Sequence, residues 1–372
     1  MIGARFWAVL IGLAVLPGVA RTQGEIVVGV VGPMAGVYAT LGDQFKRGVE
    51  LAVADVNAAG GVLGRRLKVE IGDDNCESGK AVAAARTMAE KKASLVVGHL
   101  CSAASIAASD IYHEAGIIQI TPGSTNPKFT DDAAAKNRRH VFRTCGRDDV
   151  QGSTAANYIY DNHKGKKLAV LHDNDLYGKG LAEEMRRQFG RRGGRETLFD
   201  GFAAGTKDFG PLVAKLRDAQ IEIVYLGAMP ADAGALVKAM REAGSNALAI
   251  GGDALVTEEF WKVAGKAGEG TIMTFEADPR KNPAAKDVVS RFRAGGFEPE
   301  GFAVYSYAAV QAWAQAVSSA KSLGMTDIAR SMRGLQFDTA LGKIRFNAKG
   351  DRNNPEYVLY VWKDGKYAEM IR

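Results

Sequence analysis

The chain reads as an α/β protein of two doubly wound, parallel-sheet lobes, and three observations predict it. Short β-branched runs alternate with helical patterns from Glu25 onward, which is the pattern of a parallel sheet covered by helices. The alternation restarts at Lys167. At 372 residues the chain also exceeds what one core ordinarily serves. Two sheets joined by several crossings make a hinged cleft.

Glu25–Gly32 (EIVVGVVG) is the first strand. In Leu41–Ala58, Phe45, Val49, Ala52 and Val56 stand 4, 3 and 4 apart, an amphipathic helix; the glycines of Asn57–Gly64 end it. Leu67–Asp74 is a strand, Lys80–Lys91 a helix, Leu95–Leu100 a strand, Ala103–Ala115 a helix and Ile117–Pro122 a strand. Val141–Thr144 is read as a crossing segment. The second round runs through strands 167–173, 196–202, 222–227, 248–253 and 271–276, with helices at 178–191, 209–219 and 231–243. Helical patterns at 284–295, 302–322 and 328–335 and β-like runs at 342–346 and 357–362 are too many to extend one sheet, so they are expected to be shared between the lobes. The expected division is 25–144 with 277–355 for the N-terminal lobe, and 145–276 with 356–372 for the C-terminal lobe.

Residues 1–24 are read as a signal peptide. Met1–Arg5 carries a positive charge, Phe6–Leu16 is apolar, and Pro17–Ala20 supplies a breaker and small residues, so cleavage is expected near 20–24. An apolar stretch this short fits a signal core better than a membrane span. An exported protein, soluble after cleavage, is expected. The net charge of +6 comes from scattered basic residues without interleaved aromatics, which argues against nucleic acid as a partner.

Catalytic patterns are missing. Gly29–Gly36 lacks the spacing of a dinucleotide loop, and no Walker A, G-x-S-x-G or H-E-x-x-H sequence occurs. Asp73–Asp74 and Asp148–Asp149 are sequence neighbours, read as turn and cap residues rather than acid–base pairs. His172–Asp173 is the one dyad-like pair, and a structural histidine is the plainer reading. No enzyme, cofactor or metal site is expected. Among three cysteines, Cys76 and Cys101 each follow a strand pattern, and two strand ends on one sheet edge come within bridging range. Cys145 would then be a free, buried thiol.

A binding edge is better supported. Strands 95–100 and 117–122 end in Cys101–Ser105 and Thr121–Thr125, and ligands in open α/β sheets sit beyond the carboxyl ends of strands. Ser102 and Thr125 have two readings, as helix N-caps or as donors to an anion at helix N-termini, with Gly123 allowing close approach. In the second lobe, Tyr177 either covers a ligand or packs on its own helix. Asp253, ending a strand, either pairs with an ammonium or caps a helix.

These residues resemble a known family. Val30–Gly32, Gly42–Gln44, AVADVNAAGG at 52–61, Asp73–Asp74 with Cys76, GHLCS at 98–102, SDIY at 109–112, Thr121–Pro122, Gln151–Gly152, His172–Asp173, Tyr177–Gly178, Gly180–Ala182, Phe199–Gly201 and Lys207–Phe209 are similar to the periplasmic branched-chain amino-acid-binding proteins, the Leu/Ile/Val receptors of ABC importers. The resemblance spans nearly the whole mature chain. It implies a type I binding-protein fold and a Cys76–Cys101 disulfide. Ser102 would then hold the ligand carboxylate by hydroxyl and N–H, Gly123 and Thr125 would serve the ammonium, with the Thr125 N–H on the carboxylate, and Tyr177 would close over it. Asp253 stands where the family typically has a glutamate for the ammonium. Leu41, with Tyr38 nearby, and Met229 stand where the family has pocket aromatics, so the pocket shape is expected to differ. Ser124 and Phe275 complete the expected ligand-binding set. The implied function is capture of an amino acid, branched-chain or aliphatic, by a monomer that delivers it to a membrane ABC permease. The alternative is a same-fold receptor or sensor for another small carboxylate, an aromatic acid or amide.

Overall fold

A computed structural model describes residues 24–370; the expected signal segment falls outside them apart from Gly24. Strand β1 (Ile26–Gly32) is central to the first sheet because its valines fill both faces, and all its residues but Val27 are buried. β2 (Leu67–Asp73), β3 (Leu95–Gly98), β4 (Ile118–Thr121) and β5 (Val141–Arg143) join it in the order β2-β1-β3-β4-β5, all parallel. Helices α1 (Ala39–Ala58), α2 (Ser78–Glu90), α3 (Ser102–Glu114) and α4 (Lys128–Ala135) connect them.

The second round begins with α5 (Asp148–Asn162), β6 (Leu168–His172), α6 (Leu176–Arg191) and β7 (Leu198–Gly201). It continues through α7 (Gly210–Asp218), β8 (Ile223–Gly227), α8 (Pro230–Glu242), β9 (Leu248–Gly251), α9 (Glu258–Ala264) and β10 (Ile272–Glu276). The chain then supplies α10 (Lys286–Ala294), α11 (Ala303–Ala320), α12 (Met325–Gly334) and the hairpin β11 (Gln336–Thr339) and β12 (Gly342–Arg345). Finally β13 (Tyr357–Lys363) and β14 (Lys366–Glu369) return as antiparallel edge strands of the second sheet, ordered β14-β13-β10-β9-β8-β6-β7. The late elements are thus divided, as their number required: α11 packs along α1 in the first lobe, and β13 closes the second sheet.

Each sheet reverses strand order once. β1 pairs β2 on one side and β3 on the other; β6 pairs β7 and β8 likewise. A crevice opens outside the carboxyl ends of strands at such a reversal, so the ends near Gly98 and Gly227 are where a ligand can enter. Val141–Thr144 proves not to be a bare crossing. Val141–Arg143 pairs with β4 as an edge strand, and the crossing starts immediately after it. Helices α4, α5 and α9 escape the sequence pattern; α5, for instance, runs Gly152, Ser153 and Thr154 in succession and shows no clear apolar stripe.

The crossings are stitched by buried polar contacts. Gly146 N donates to Glu276 Oε1 at 2.6 Å, Arg352 Nε to the Thr144 carbonyl at 2.6 Å, and Thr144 Oγ1 to the Tyr305 carbonyl at 3.0 Å. Arg352 also pairs with Glu276. Among the described residues no helix is long and apolar enough to cross a membrane.

The α1–α11 contact depends on Gly48, where a Cβ would stand 2.3 Å from the Ala303 carbonyl oxygen and 2.7 Å from Ser306 Cβ. The backbone there cannot yield as a flexible side chain would. Gly48→Ala is therefore expected to destabilise the protein by roughly 1–3 kcal/mol through overpacking, read as a lower urea midpoint with unchanged slope.

Candidate functional site

Both sheets present their strand ends to one cavity. The first lobe lines it with Leu41, Leu100, Cys101, Gly123 and Phe302; the second with Tyr177, Met229, Asp253 and Ala254. The two walls differ in chemistry.

The first wall is neutral. Ser102 is 1 % exposed, and its Oγ accepts the Asn126 N–H at 3.3 Å. It is the first residue of α3, whose N-cap is Cys101, and Pro127 is the N-cap of α4. Neither Ser102 nor Thr125 is therefore a helix cap, and neither is among the residues lining the cavity. Thr125 Oγ1 is buried and makes no hydrogen bond of sound geometry, with the Asp148 carboxyl beside it; its carbonyl accepts Asp148 N–H at 3.0 Å. Gly123 is needed for closeness, since a Cβ there would lie 2.8 Å from Leu100 Cδ1 and 3.1 Å from Phe45 Cζ.

A buried network under this wall fixes its shape. His99 Nδ1 lies 2.5 Å from Asp74 Oδ2 and its Nε2 lies 2.9 Å from the Tyr112 hydroxyl, all three residues fully buried. His99 N donates to Ser105 Oγ, which is 2.7 Å from Ser124 Oγ. The Ser124 hydroxyl is also within 2.9 Å of the Leu100 carbonyl, so it faces into the lobe and binds loop to loop. The disulfide Cys76–Cys101 joins the same two strand ends, with Cα atoms 5.3 Å apart, as the sequence led us to expect. Cys145 is free and buried, and burial pushes its thiol up to about 12.

The second wall is acidic. Asp175 caps α6 by accepting the Tyr177 N–H at 3.0 Å. The Tyr177 hydroxyl then donates to Asp253 Oδ1 at 2.8 Å and accepts Ala254 N–H at 3.2 Å. Gln151 completes the arrangement. Its Nε2 donates to Asp253 Oδ1 at 3.0 Å and reaches Asp148 Oδ1 at 3.4 Å, while its Oε1 accepts Asp253 N–H and the Thr274 hydroxyl. Asp253 sits in a short 3-10 turn just beyond β9. Burial raises its carboxyl above the ordinary range, against the hydrogen bonds from Gln151 and Tyr177. Asp148 is raised further, by burial and then by the Asp253 charge. Among the described residues neither carboxylate is in an ion pair, although both are fully buried. Buried charge ordinarily finds a partner.

The remaining expected residues divide. Leu41 and Met229 line the cavity; Met229 N is held by Asp173 Oδ2 at 3.0 Å. Tyr38 is not among the residues lining the cavity; burial and then the acidic Asp232, Asp173 and Glu259 push its hydroxyl up. Phe275 does not reach the cavity. It packs edge-on to Phe302 and Tyr305, at 5.7 and 6.1 Å between ring centres, and so supports the cavity wall from behind. His172 and Asp173 do not form a dyad: His172 Nδ1 accepts Asn174 N–H, and Asp173 accepts Met229 and Asp175 N–H. Sequence reasoning passed over Leu100, Phe302, Gln151 and Asp148. Only Gln151 and Leu100 had a signal, in the motifs that carried the resemblance.

The sequence profile of the periplasmic binding protein family matches residues 25–366. The chain belongs to that family. This binding protein is 45% identical over 350 residues to an amino acid binding protein of Pseudomonas aeruginosa, covering 93% of this chain and 92% of the other. It is 42% identical over 347 residues to a Leu/Ile/Val-binding protein homolog of Brucella suis, with 92% of each chain covered. Its fold is similar to an ABC transporter substrate-binding protein of Desulfitobacterium hafniense solved in complex with Leu, at 28% identity and TM-score 0.77, covering 93% and 100% of the two chains.

The disulfide closes a sequence separation of 25 residues, and chain entropy gives such a loop about 3 kcal/mol. Replacing Cys76 and Cys101 together by Ala should lower unfolding stability by about that amount, measured by urea denaturation of oxidised protein.

Proposed function

We propose that this protein is an exported receptor that captures an aliphatic α-amino acid between its lobes and delivers it to a membrane ABC permease. The observation that carries this reading is Asp253. It is a buried carboxylate on the cavity wall that makes no ion pair among the described residues, across from the uncharged Leu41, Leu100, Cys101, Gly123 and Phe302. A ligand that brings an ammonium to Asp253 and a carboxylate to Ser102 and the Thr125 backbone satisfies both walls together. The apolar residues Leu41, Leu100, Met229 and Phe302 leave an aliphatic side chain as the fitting remainder.

The mechanism follows from the asymmetry. The first lobe, in this proposal residues 25–144 with 277–355, receives the ligand's polar end. The second lobe, residues 145–276 with the C-terminal strands, swings in and adds Tyr177 and Asp253. Closure removes water, which strengthens each charge-assisted hydrogen bond, and the ligand shifts the population by touching both lobes. The homology to amino acid and Leu/Ile/Val binding proteins supports the ligand class, and the likeness to an ABC transporter component supports the permease.

Three outcomes test this. After unfolding and refolding to strip bound ligand, a thermal-shift panel should respond to Leu, Ile or Val; at a hundred times the dissociation constant the gain is about 2.7 kcal/mol, several degrees. Shifts confined to carboxylic acids lacking an amine would overturn the ammonium role. Asp253→Ala should weaken leucine binding in calorimetry by roughly 2–4 kcal/mol, because the ammonium loses its charged partner; unchanged affinity would sink the assignment. A proton also competes with the ammonium for Asp253. Since burial raises that carboxyl, affinity should fall as the pH is lowered from neutrality toward the ordinary carboxylate range, and Asp253→Asn should lose most of that dependence.

A further inference from the structure

Asn126 is the last residue of the first-lobe binding loop and is 3 % exposed, yet it does not line the cavity. Each of its polar groups has an assigned partner. Its N–H donates to Ser102 Oγ, its carbonyl accepts from Arg143 Nη2 at 3.0 Å, and its Oδ1 accepts the Lys128 N–H at 3.0 Å. That last contact fixes the amide's orientation, so Nδ2 points outward from the first lobe. It donates at 2.9 Å to the carbonyl of Leu176, the first residue of α6 in the second lobe. The other hydrogen bonds between the lobes, among the described residues, lie at or beside the chain crossings.

The second lobe is shaped to receive this amide. At Gly180, one turn along α6, a Cβ would stand 2.3 Å from Asn126 Nδ2 and 3.5 Å from Asn126 Cγ, and nothing else lies within 4 Å. Gly180 has an ordinary helical backbone, so no turn or positive φ explains a glycine there. In an isolated helix alanine would serve better by about 1 kcal/mol. The one neighbour that a side chain at 180 would meet is the amide of the opposite lobe, which could turn aside only by giving up its bonds to the Leu176 carbonyl and the Lys128 N–H. Leu176 also precedes Tyr177, so the contact seats the helix turn from which Tyr177 reaches Asp253.

We propose that Asn126 and Gly180 form a ligand-independent latch across the cleft mouth: the Asn126 amide enters the slot left by Gly180, bonds the Leu176 carbonyl, and sets the balance between open and closed forms without touching the ligand. Asn126 is thus a positioning residue for capture. The inference rests on lobe closure but not on the identity of the ligand. It predicts a pattern that a purely structural role would not give. Asn126→Ala removes the bond; Gly180→Ala leaves the amide but fills its slot; combining them removes the clash, because the alanine at 180 then meets open space.

The test is a distance measurement by pulsed electron paramagnetic resonance, with spin labels at Lys136→Cys and Arg191→Cys, both exposed and on opposite lobes. Buried Cys145 escapes labelling. Expected is a closed-distance population that shrinks in Asn126→Ala, shrinks further in Gly180→Ala, where the amide must also leave Lys128, and in the double variant returns to the Asn126→Ala level. Leucine affinity should fall roughly threefold to tenfold in Asn126→Ala, more in Gly180→Ala, and recover in the double variant. The unfolding temperature of Gly180→Ala should be unchanged or higher, which separates blocked closure from misfolding. Equal distance distributions in wild type and Gly180→Ala, or no recovery in the double variant, would overturn the latch. If wild type ignores leucine, the amino-acid reading fails, while the distance distributions still decide the latch.

Discussion

Arg143 is the residue on which the binding wall and the crossings both depend. It is fully buried at the end of an edge strand, with Nε 2.8 Å from Asp351 Oδ1. Its guanidinium also donates to the Ser124 and Asn126 carbonyls, at 2.7 and 3.0 Å, and to Thr130 Oγ1. One planar fork therefore holds the binding loop, the start of α4 and the returning segment near Asp351. Arg147, four residues on, adds a second cation to Asp351. Burial alone would raise the Asp351 carboxyl, yet the two arginines hold it below its ordinary range. Taking these charges from water is costly, and removing one partner of such a group costs roughly 3–5 kcal/mol. The geometry of the loop is correspondingly firm.

From that anchor the two walls acquire opposite characters. Arg143 takes the Ser124 and Asn126 carbonyls from behind, while the Ser124 N–H goes to Thr121 Oγ1 and the Asn126 N–H to Ser102 Oγ, so of the 124–126 hydroxyls only that of Thr125 is left without a partner. Charge on the first wall is unnecessary, because backbone donors at strand and helix ends already favour an anion. The second wall carries Asp148 and Asp253 with Gln151 bridging them and Tyr177 above. In the proposed reading its carboxylates disfavour the empty site, and an incoming ammonium relieves them. Selectivity in the proposed reading comes from that mismatch between walls.

Several of these features were legible before any coordinates. The β1 run IVVGVVG and the restart of the α/β alternation placed both sheets, and the ends of strands 95–100 and 117–122 supplied Cys101 and Gly123 to the cavity. Cys76 and Cys101 followed from strand ends on one edge. The misses have a common cause. α5 owes its helix to packing rather than to an apolar stripe, and Phe275 and Phe302 look alike in sequence though only one reaches the cavity. Asp148 and Asp149 are adjacent, and nothing local marks Asp148 as the one turned inward.

The sequence by itself determined the fold class, the alternation of strands with helices and the chemistry available at strand ends, because these rest on local periodicity and residue type. Only the tertiary structure decided which hydroxyls, like those of Ser102 and Ser124, are used in stitching loops and which, like that of Thr125, are left without a partner. It alone brought Gln151 to Asp253, 102 positions away, and set the Asn126 amide against Gly180. Such pairings depend on where two independently folded sheets come to rest against each other, and no local pattern encodes that.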